Sequence, residues 1–160
     1  MDAGKILVAK SQGIYIIKFM GDVRLNLCTT LDQYTDDMFV DPDFKTVIID
    51  LTETQCIDST SLGQLAKISI MYKEKFGQLP TIISINDDIN RILMSMGFDK
   101  VFYIIKELVS KVEYLDELPL KSVNESEMKT RVLNAHKLLM DMNDNNRDAF
   151  QDLVKSLEDN

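Results

Sequence analysis

The sequence predicts an α/β protein in which helices pack on a mixed β-sheet, with a helical hairpin added at the C-terminal end. Three observations support this fold class. Short runs of β-branched and apolar residues alternate with helically spaced apolar residues over positions 1–118. Beyond Pro119 the apolar spacing is helical only. Apolar residues make up 45% and charged residues 28% of the chain, which is ordinary for a folded globular protein.

Five apolar runs are predicted to be strands. The first two flank Ser11-Gln12-Gly13, which has the composition of a tight turn, so they should pair as a hairpin. The third run is apolar on both faces, as expected of a central strand that is covered on both sides or nearly so. The predicted strands are residues 6–8, 14–19, 46–51, 80–85 and 101–104.

Helically spaced apolar residues predict four helices that follow strands two to five. The first helix carries Leu27, Leu31, Tyr34 and Met38. The second begins near Leu62 and ends at Gly77, and the third ends at Gly97, because glycine favours the backbone conformation that closes a helix. The fourth stops near Pro119 and is marked by Ile105, Leu108, Val109, Val112 and Leu115.

The chain therefore divides into a domain at residues 1–118 and a C-terminal helical extension at residues 119–160. Ser122 and Glu125 have the spacing of a helix capping box, and a polar break at residues 141–147 separates two helices. An apolar stripe must be buried, and the same chain, a second copy or a partner protein all fit this pattern. The two stripes consist of Met128, Val132, Ala135, Leu139 and Met142, and then of Phe150, Leu153, Val154 and Leu157.

Charge and composition argue against several function classes. The net charge of -8 disfavours direct nucleic-acid binding, which requires clustered basic side chains. No apolar run approaches the roughly 20 residues of a membrane-spanning helix, and the first residues lack a signal-peptide pattern, so we expect a cytoplasmic protein without membrane contact. Cys28 and Cys56 lack metal-ligand spacing and are interpreted as buried thiols, and we expect neither a metal nor a cofactor. His136 is interpreted as an ordinary helix residue.

The segment with the most distinctive chemistry lies between the third strand and the second helix. Here Cys56-Ile57-Asp58-Ser59-Thr60-Ser61-Leu62-Gly63 forms a run of small and polar residues that begins an amphipathic helix. In one interpretation Asp58, Ser59 or Thr60 only caps the helix by accepting a hydrogen bond from an N–H of its first turn.

A second interpretation comes from a family resemblance. The opening hairpin, the third strand followed by residues 58–63, and a third helix ending in Gly97-Phe98 together resemble the STAS domain of bacterial anti-sigma factor antagonists. The resemblance covers residues 5 to about 117. The family pattern is Asp-Ser-Ser/Thr-Gly-Leu-Gly, and its first serine is phosphorylated, which implies phosphorylation of Ser59. The implied partner-binding residues are Asp58, Ser59, Thr60, Ser61 and Leu62. Ser61 departs from the family glycine, which affects the expected fit of a partner or kinase.

The resemblance implies a partner switch in signal transduction and transcription regulation. The unphosphorylated chain would bind an anti-sigma factor or serine kinase, phosphorylation of Ser59 would release it, and a serine phosphatase would restore binding. The chain itself would not be an enzyme, since the sequence offers no Gly-rich phosphate loop and no Cys/His pair. The alternative is an assembly or ligand-sensing module of the STAS type, in which Ser59 is only a cap and the C-terminal helices form a homo-oligomer.

Overall fold

The computed structural model describes residues 2–107 and 115–159 and confirms an α/β fold built on a mixed sheet. The strands are β1 (Lys5–Ser11), β2 (Ile14–Val23), β3 (Thr46–Ile57), β4 (Thr81–Ile83), β5 (Tyr103–Ile105) and β6 (Asp116–Glu117). The helices are α1 (Cys28–Val40), α2 (Ser59–Phe76), α3 (Asp87–Ser95), α4 (Glu125–Met142) and α5 (Asp144–Glu158).

The strands form one sheet in the order β5-β4-β3-β2-β1-β6. The predicted hairpin is present: β1 and β2 are antiparallel and joined by Gln12 and Gly13, which both have positive φ. β2, β3, β4 and β5 pair in parallel, as expected when a helix connects successive strands. The sheet therefore combines a parallel half with an antiparallel edge.

Strand β3 lies in the centre of the sheet, and only one of its faces is fully buried. Val47, Ile49 and Leu51 are inaccessible to solvent, whereas Ile48 on the opposite face is half-buried. The sequence predicted a strand covered on both sides or nearly so, and the face with Ile48 is the less covered of the two. The strand is also longer than predicted, since the pairs Asp22–Cys56 and Val23–Ile57 continue its ladder with β2. Cys56 and Ile57 belong to β3 and not to the start of α2.

The region after β5 differs most from the sequence prediction. Ile105, predicted to start a helix, lies in β5, and most of that helix falls at residues 108–114, outside the described residues. Asp116 and Glu117 form β6, which pairs with Val8 and Leu7 at the open edge of β1. In this segment, hydrogen bonding to the unpaired backbone edge of β1 determines the structure, and the helical spacing of apolar residues does not.

The two C-terminal helices are present, but their boundaries differ from the prediction. Asn124 rather than Ser122 caps α4, because its Oδ1 accepts a hydrogen bond of 2.8 Å from the N–H of Glu127. The break between the helices is Asn143 alone, whose Oδ1 accepts from the N–H of Asn146 at 2.8 Å. The side chain of Asn143 satisfies the first turn of α5, so the polar residues that follow it are helical.

The C-terminal helices pack back onto the rest of the chain. Helix α4 contacts α2 on one side and α5 on the other, while α2 also contacts α1. Leu139 of α4 is fully buried and belongs to the same hydrophobic cluster as Leu62 and Leu65 of α2. The apolar stripe of α4 is therefore buried against the core of the same chain, one of the three possibilities that the sequence leaves open. Within the described ranges, no helix is long and apolar enough to span a membrane.

Candidate functional site

Asp58 joins β3 to α2 and holds the start of the helix. Its Oδ1 accepts a hydrogen bond from the N–H of Ser61 at 2.8 Å, which caps α2. Its Oδ2 accepts from the N–H of Leu25 at 2.8 Å, in the short turn that precedes α1. The capping function thus belongs to Asp58, and the hydroxyl of Ser59 is left for another contact.

Ser59 is the first residue of α2, and its side chain points to the C-terminal extension. The Oγ of Ser59 lies 2.7 Å from Nε2 of His136, a residue of α4 that is 77 positions away in the chain. Ser59 is half-buried, and His136 is only 2% exposed. Helix α4 therefore partly covers the serine for which the family resemblance predicts phosphorylation.

The second ring nitrogen of His136 determines how this contact is made. Nδ1 lies 2.7 Å from the carbonyl oxygen of Val132, which can only accept, so Nδ1 carries the proton. In the neutral ring Nε2 is then an acceptor, and the hydroxyl of Ser59 donates to it. The ring is also held by an edge contact with Phe150 of α5, at 4.9 Å between centroids. Both C-terminal helices thus fix the group that binds Ser59.

A serine and a histidine at this distance also occur as nucleophile and base in hydrolases. Here the imidazole is buried, and it is oriented by a carbonyl of its own helix rather than by a carboxylate. We interpret the Ser59–His136 contact as a hydrogen bond that holds α4 on α2.

Close backbone packing brings the two helices together one turn further along α2. A Cβ placed on Gly63 would lie 2.5 Å from the Cβ of Ala135 and would also meet the backbone of Ala135. Such distances do not occur between real side chains, so this approach of α4 requires glycine at position 63. Ala135 itself is fully buried. The pair of small residues therefore fits the two helices together directly beside Ser59.

An ionic cluster fastens α4 at a second place. Asp32 of α1 is 7% exposed, and its carboxylate contacts both Lys67 of α2, at 2.6 Å, and Arg131 of α4. One buried carboxylate thus connects three helices. The beginning of the extension is held as well, since Thr30 donates to the carbonyl of Pro119 and accepts from the N–H of Lys121, both at 3.0 Å.

The other predicted partner-binding residues lie mostly inside the protein. Thr60, Ser61 and Leu62 are each less than 5% exposed, whereas Asp58 and Ser59 are half-buried. The Oγ of Ser61 is 3.8 Å from Sγ of Cys28 on α1. The side chain that departs from the family glycine therefore fills space between α1 and α2, and it does not project from the surface.

The two cysteines have different environments. Cys28 is buried, and burial raises the pKa of its thiol to about 12, so it stays neutral at physiological pH. Cys56 is half-buried rather than buried as predicted, since β3 places it beside Asp22. Its thiol donates to the Asp22 carboxylate at 2.6 Å, and this hydrogen bond raises the pKa of the thiol. Neither thiol has the lowered pKa of a reactive cysteine.

The described residues contain no group of three potential metal ligands. The walls of a polar cleft of about 510 Å³ include Lys5, Glu53 and Asn86. None of the residues from Asp58 to Leu62 contributes to it. Among the described residues, the start of α2 and the cleft are thus separate features.

The sequence does not predict that His136 and Ala135 belong to the site, nor that Gly63 of the distinctive segment is in contact with Ala135. The local sequence around His136 is that of an ordinary helix residue and does not indicate a contact 77 positions away. One signal was available: Ala135 is the smallest member of the apolar stripe of α4, and Gly63 lies inside a helix, where glycine is unfavourable. Small residues in two helices are typical of a close helix crossing.

Comparisons with known proteins support the fold of the domain that carries Ser59. The family model of the STAS domain matches residues 5–116. The structure of the anti-sigma factor antagonist SpoIIAA in its unphosphorylated form is 10% identical, with a TM-score of 0.54, covering 65% of this chain and 89% of that one. An anti-sigma factor antagonist from Mycobacterium paratuberculosis is 21% identical, with a TM-score of 0.55, covering 66% and 88%. At these identities the similarity establishes a shared fold. No curated protein matches the sequence.

Proposed function

Because the chain belongs to the STAS domain family, we propose that it is an anti-sigma factor antagonist whose partner binding is switched by phosphorylation of Ser59. The observation that carries the proposal is the place of Ser59: it follows the capping Asp58 at the start of α2, directly after the central strand. Its hydroxyl is not needed to cap the helix, so a phosphate on it would leave the helix start intact.

Phosphorylation would change the charge of this surface without unfolding the domain. A phosphoserine carries about -1.5 to -2 charges and three acceptor oxygens, and Asp58 already places a carboxylate beside it. The N-terminus of α2 tolerates an anion, since helix N-termini favour negative charge by about 0.3–1 kcal/mol. A partner surface that fits a neutral hydroxyl has no such compensation, and like charges at a contact cost several kcal/mol.

The proposed cycle requires three kinds of partner. The unphosphorylated chain binds an anti-sigma factor, a serine kinase modifies Ser59 and a serine phosphatase restores the free hydroxyl. We place the cycle in the bacterial cytoplasm, where sigma factors act. The chain takes part by binding rather than by catalysis. Ser59 and Asp58 form the contact surface, while Thr60, Ser61 and Leu62 shape it from beneath.

A pair of variants tests the switch. Ser59→Asp should weaken binding to the cognate anti-sigma factor at least about tenfold, the effect of 1.4 kcal/mol, because it places a charge at the contact. Ser59→Ala should retain binding. Ser122→Asp adds the same charge at an exposed serine in the extension and serves as a control. Equal affinities of the Ser59→Asp and Ser59→Ala variants would exclude the phospho-switch.

Self-association through the C-terminal helices is the second candidate function. Most apolar side chains of the two stripes are covered when α4 packs on α2. Leu153 of α5, which is 41% exposed, is the main one that could still contact a second copy of the chain. A homo-oligomer built on this surface should dissociate when Leu153 is replaced by glutamate. Light scattering on the wild type and on Leu153→Glu distinguishes this function from that of a monomeric switch.

A further inference from the structure

The surface that a partner of Ser59 would need is occupied by the chain itself. His136 of α4 binds the hydroxyl of Ser59, and Ala135 packs against the backbone at Gly63. Leu139, one turn further along α4, is buried in the main core. Contacts of α4 thus take up the start of α2 at Ser59 and at Gly63, and Leu139 anchors the helix in the core.

We propose that α4 is an intramolecular competitor for this face of α2: a kinase or an anti-sigma factor reaches Ser59 only when α4 has left, and phosphorylation of Ser59 prevents α4 from returning. The inference rests on the proposed function and adds a second level of regulation to it. In the covered state of the chain, Ser59 is bound to His136. In the uncovered state, Ser59 is accessible to the kinase, the phosphatase and the anti-sigma factor.

The geometry at Ser59 explains why the two states exclude each other. The hydroxyl and the imidazole are already at hydrogen-bond distance, 2.7 Å, which leaves no room for a phosphoryl group between them. The side chain of His136 cannot move back, because its Nδ1 is bonded within α4 and its ring lies against Phe150. The contact of Ala135 with Gly63 also prevents a small pivot of α4 about this point. With the Ser59 side chain in this orientation, a phosphate therefore requires α4 to move away from α2.

The attachment of α4 is suited to release. Its second anchor is the ion pair of Arg131 with Asp32, but Asp32 keeps Lys67 as a partner when Arg131 leaves. The carboxylate is therefore not left alone in the domain, which would be costly for a buried charge. Helix α5 contacts α4 extensively and can leave together with it as a hairpin.

The single histidine of the chain provides a direct probe of the covered state. Diethylpyrocarbonate modifies accessible neutral imidazole, and the absorbance change reports His136 alone. The full-length chain is compared in four forms: wild type, a chain carrying phosphoserine at position 59, Ala135→Leu, and Asn134→Leu. Ala135→Leu places a large side chain against Gly63 and leaves residues 1–118 unchanged. Asn134→Leu introduces the same side chain at the exposed neighbouring position.

We expect wild type and Asn134→Leu to react slowly and at the same rate. The phosphoserine form and Ala135→Leu should react about tenfold faster or more, since a covered group reacts in proportion to its open population. Circular dichroism should show that all four forms stay folded. A phosphoserine form that protects His136 as well as the wild type does would overturn the inference, because the phosphate would then be accommodated beneath α4.

This experiment uses no kinase and no anti-sigma factor, so its result is independent of the proposed function. If cells never phosphorylate Ser59, the proposed switch fails, whatever the reactivity of His136. If Ser59 is phosphorylated in cells but His136 stays protected in the phosphoserine form, the switch stands and the competition by α4 is wrong.

Discussion

The hydroxyl of Ser59 and the ring of His136 form a 2.7 Å hydrogen bond between the first turn of the second helix and the C-terminal extension. The sequence singles out Ser59 as the main candidate for function, whereas no sequence pattern indicates a function for His136. The hydrogen bond makes the extension part of the site, although the family match ends at residue 116.

Gly63→Ala should have opposite effects in the presence and absence of the extension. In the full chain the added methyl group meets Ala135, and the variant should lose about 1–3 kcal/mol of unfolding free energy, as overpacked sites do. In residues 1–118 that neighbour is gone, and the variant should gain about 0.5–1 kcal/mol from the higher helix propensity of alanine. Urea unfolding of the four proteins measures both effects. A loss of the same size in both chains would show that position 63 is crowded by the domain itself.

Residues 1–118 should fold without the extension. The six strands of the described sheet and helices α1 to α3 lie within them, and so does the pairing of β6 with β1. The truncated chain should show one cooperative thermal transition at a lower Tm than the full chain, since it loses the buried contacts of Ala135 and Leu139. An insoluble product, or a transition without cooperativity, would mean that the extension completes the core.

Asp32→Asn should weaken the attachment of α4 to the domain. The variant keeps the shape of the side chain but removes the charge that Lys67 and Arg131 share. We expect a loss of about 1–2 kcal/mol in unfolding free energy, below the value for fully buried pairs because both cations are partly exposed.

The matched control is Asp36→Asn, an exposed carboxylate on the same helix, which should change stability by less than about 0.5 kcal/mol. High salt should reduce the difference between wild type and Asp32→Asn. A difference that does not change with salt would point to packing rather than charge as the function of Asp32.

Acid should destabilise the protein partly through Asp41. Its contacts with Lys10, at 2.6 Å, and with the hydroxyl of Tyr15 lower the pKa of the carboxyl to about 2. A folded-state pKa below the unfolded value of 3.8 means that Asp41 stabilises the fold above that value. This contribution decreases as pH falls from about 4 to about 2. The urea concentration at the unfolding midpoint should therefore decrease less for Asp41→Asn than for wild type as pH falls from about 4 to about 2. Asp37→Asn, at an exposed position of α1, should follow the wild type.

Local patterns in the sequence were sufficient for the order of elements through β5 and for the position of Ser59 at a helix start. They were insufficient where contact with a distant part of the same chain determines the structure. Asp116 and Glu117 become a strand because the edge of β1 is open, and no helical spacing reveals that edge. The apolar stripe of α4 shows that the helix must be buried, but only the fit of Ala135 to Gly63 determines where.

The central claim, that Ser59 is a phosphorylated switch residue, is tested most directly by mass spectrometry of the protein isolated from growing cells. Peptides that contain Ser59 should be recovered both with and without phosphate on Ser59, and the phosphorylated fraction should differ between growth conditions. Ser61, which is buried against Cys28, should remain unmodified in the same peptides. An unphosphorylated Ser59 under every growth condition would contradict the account and leave Ser59 as a residue that only holds α4 in place.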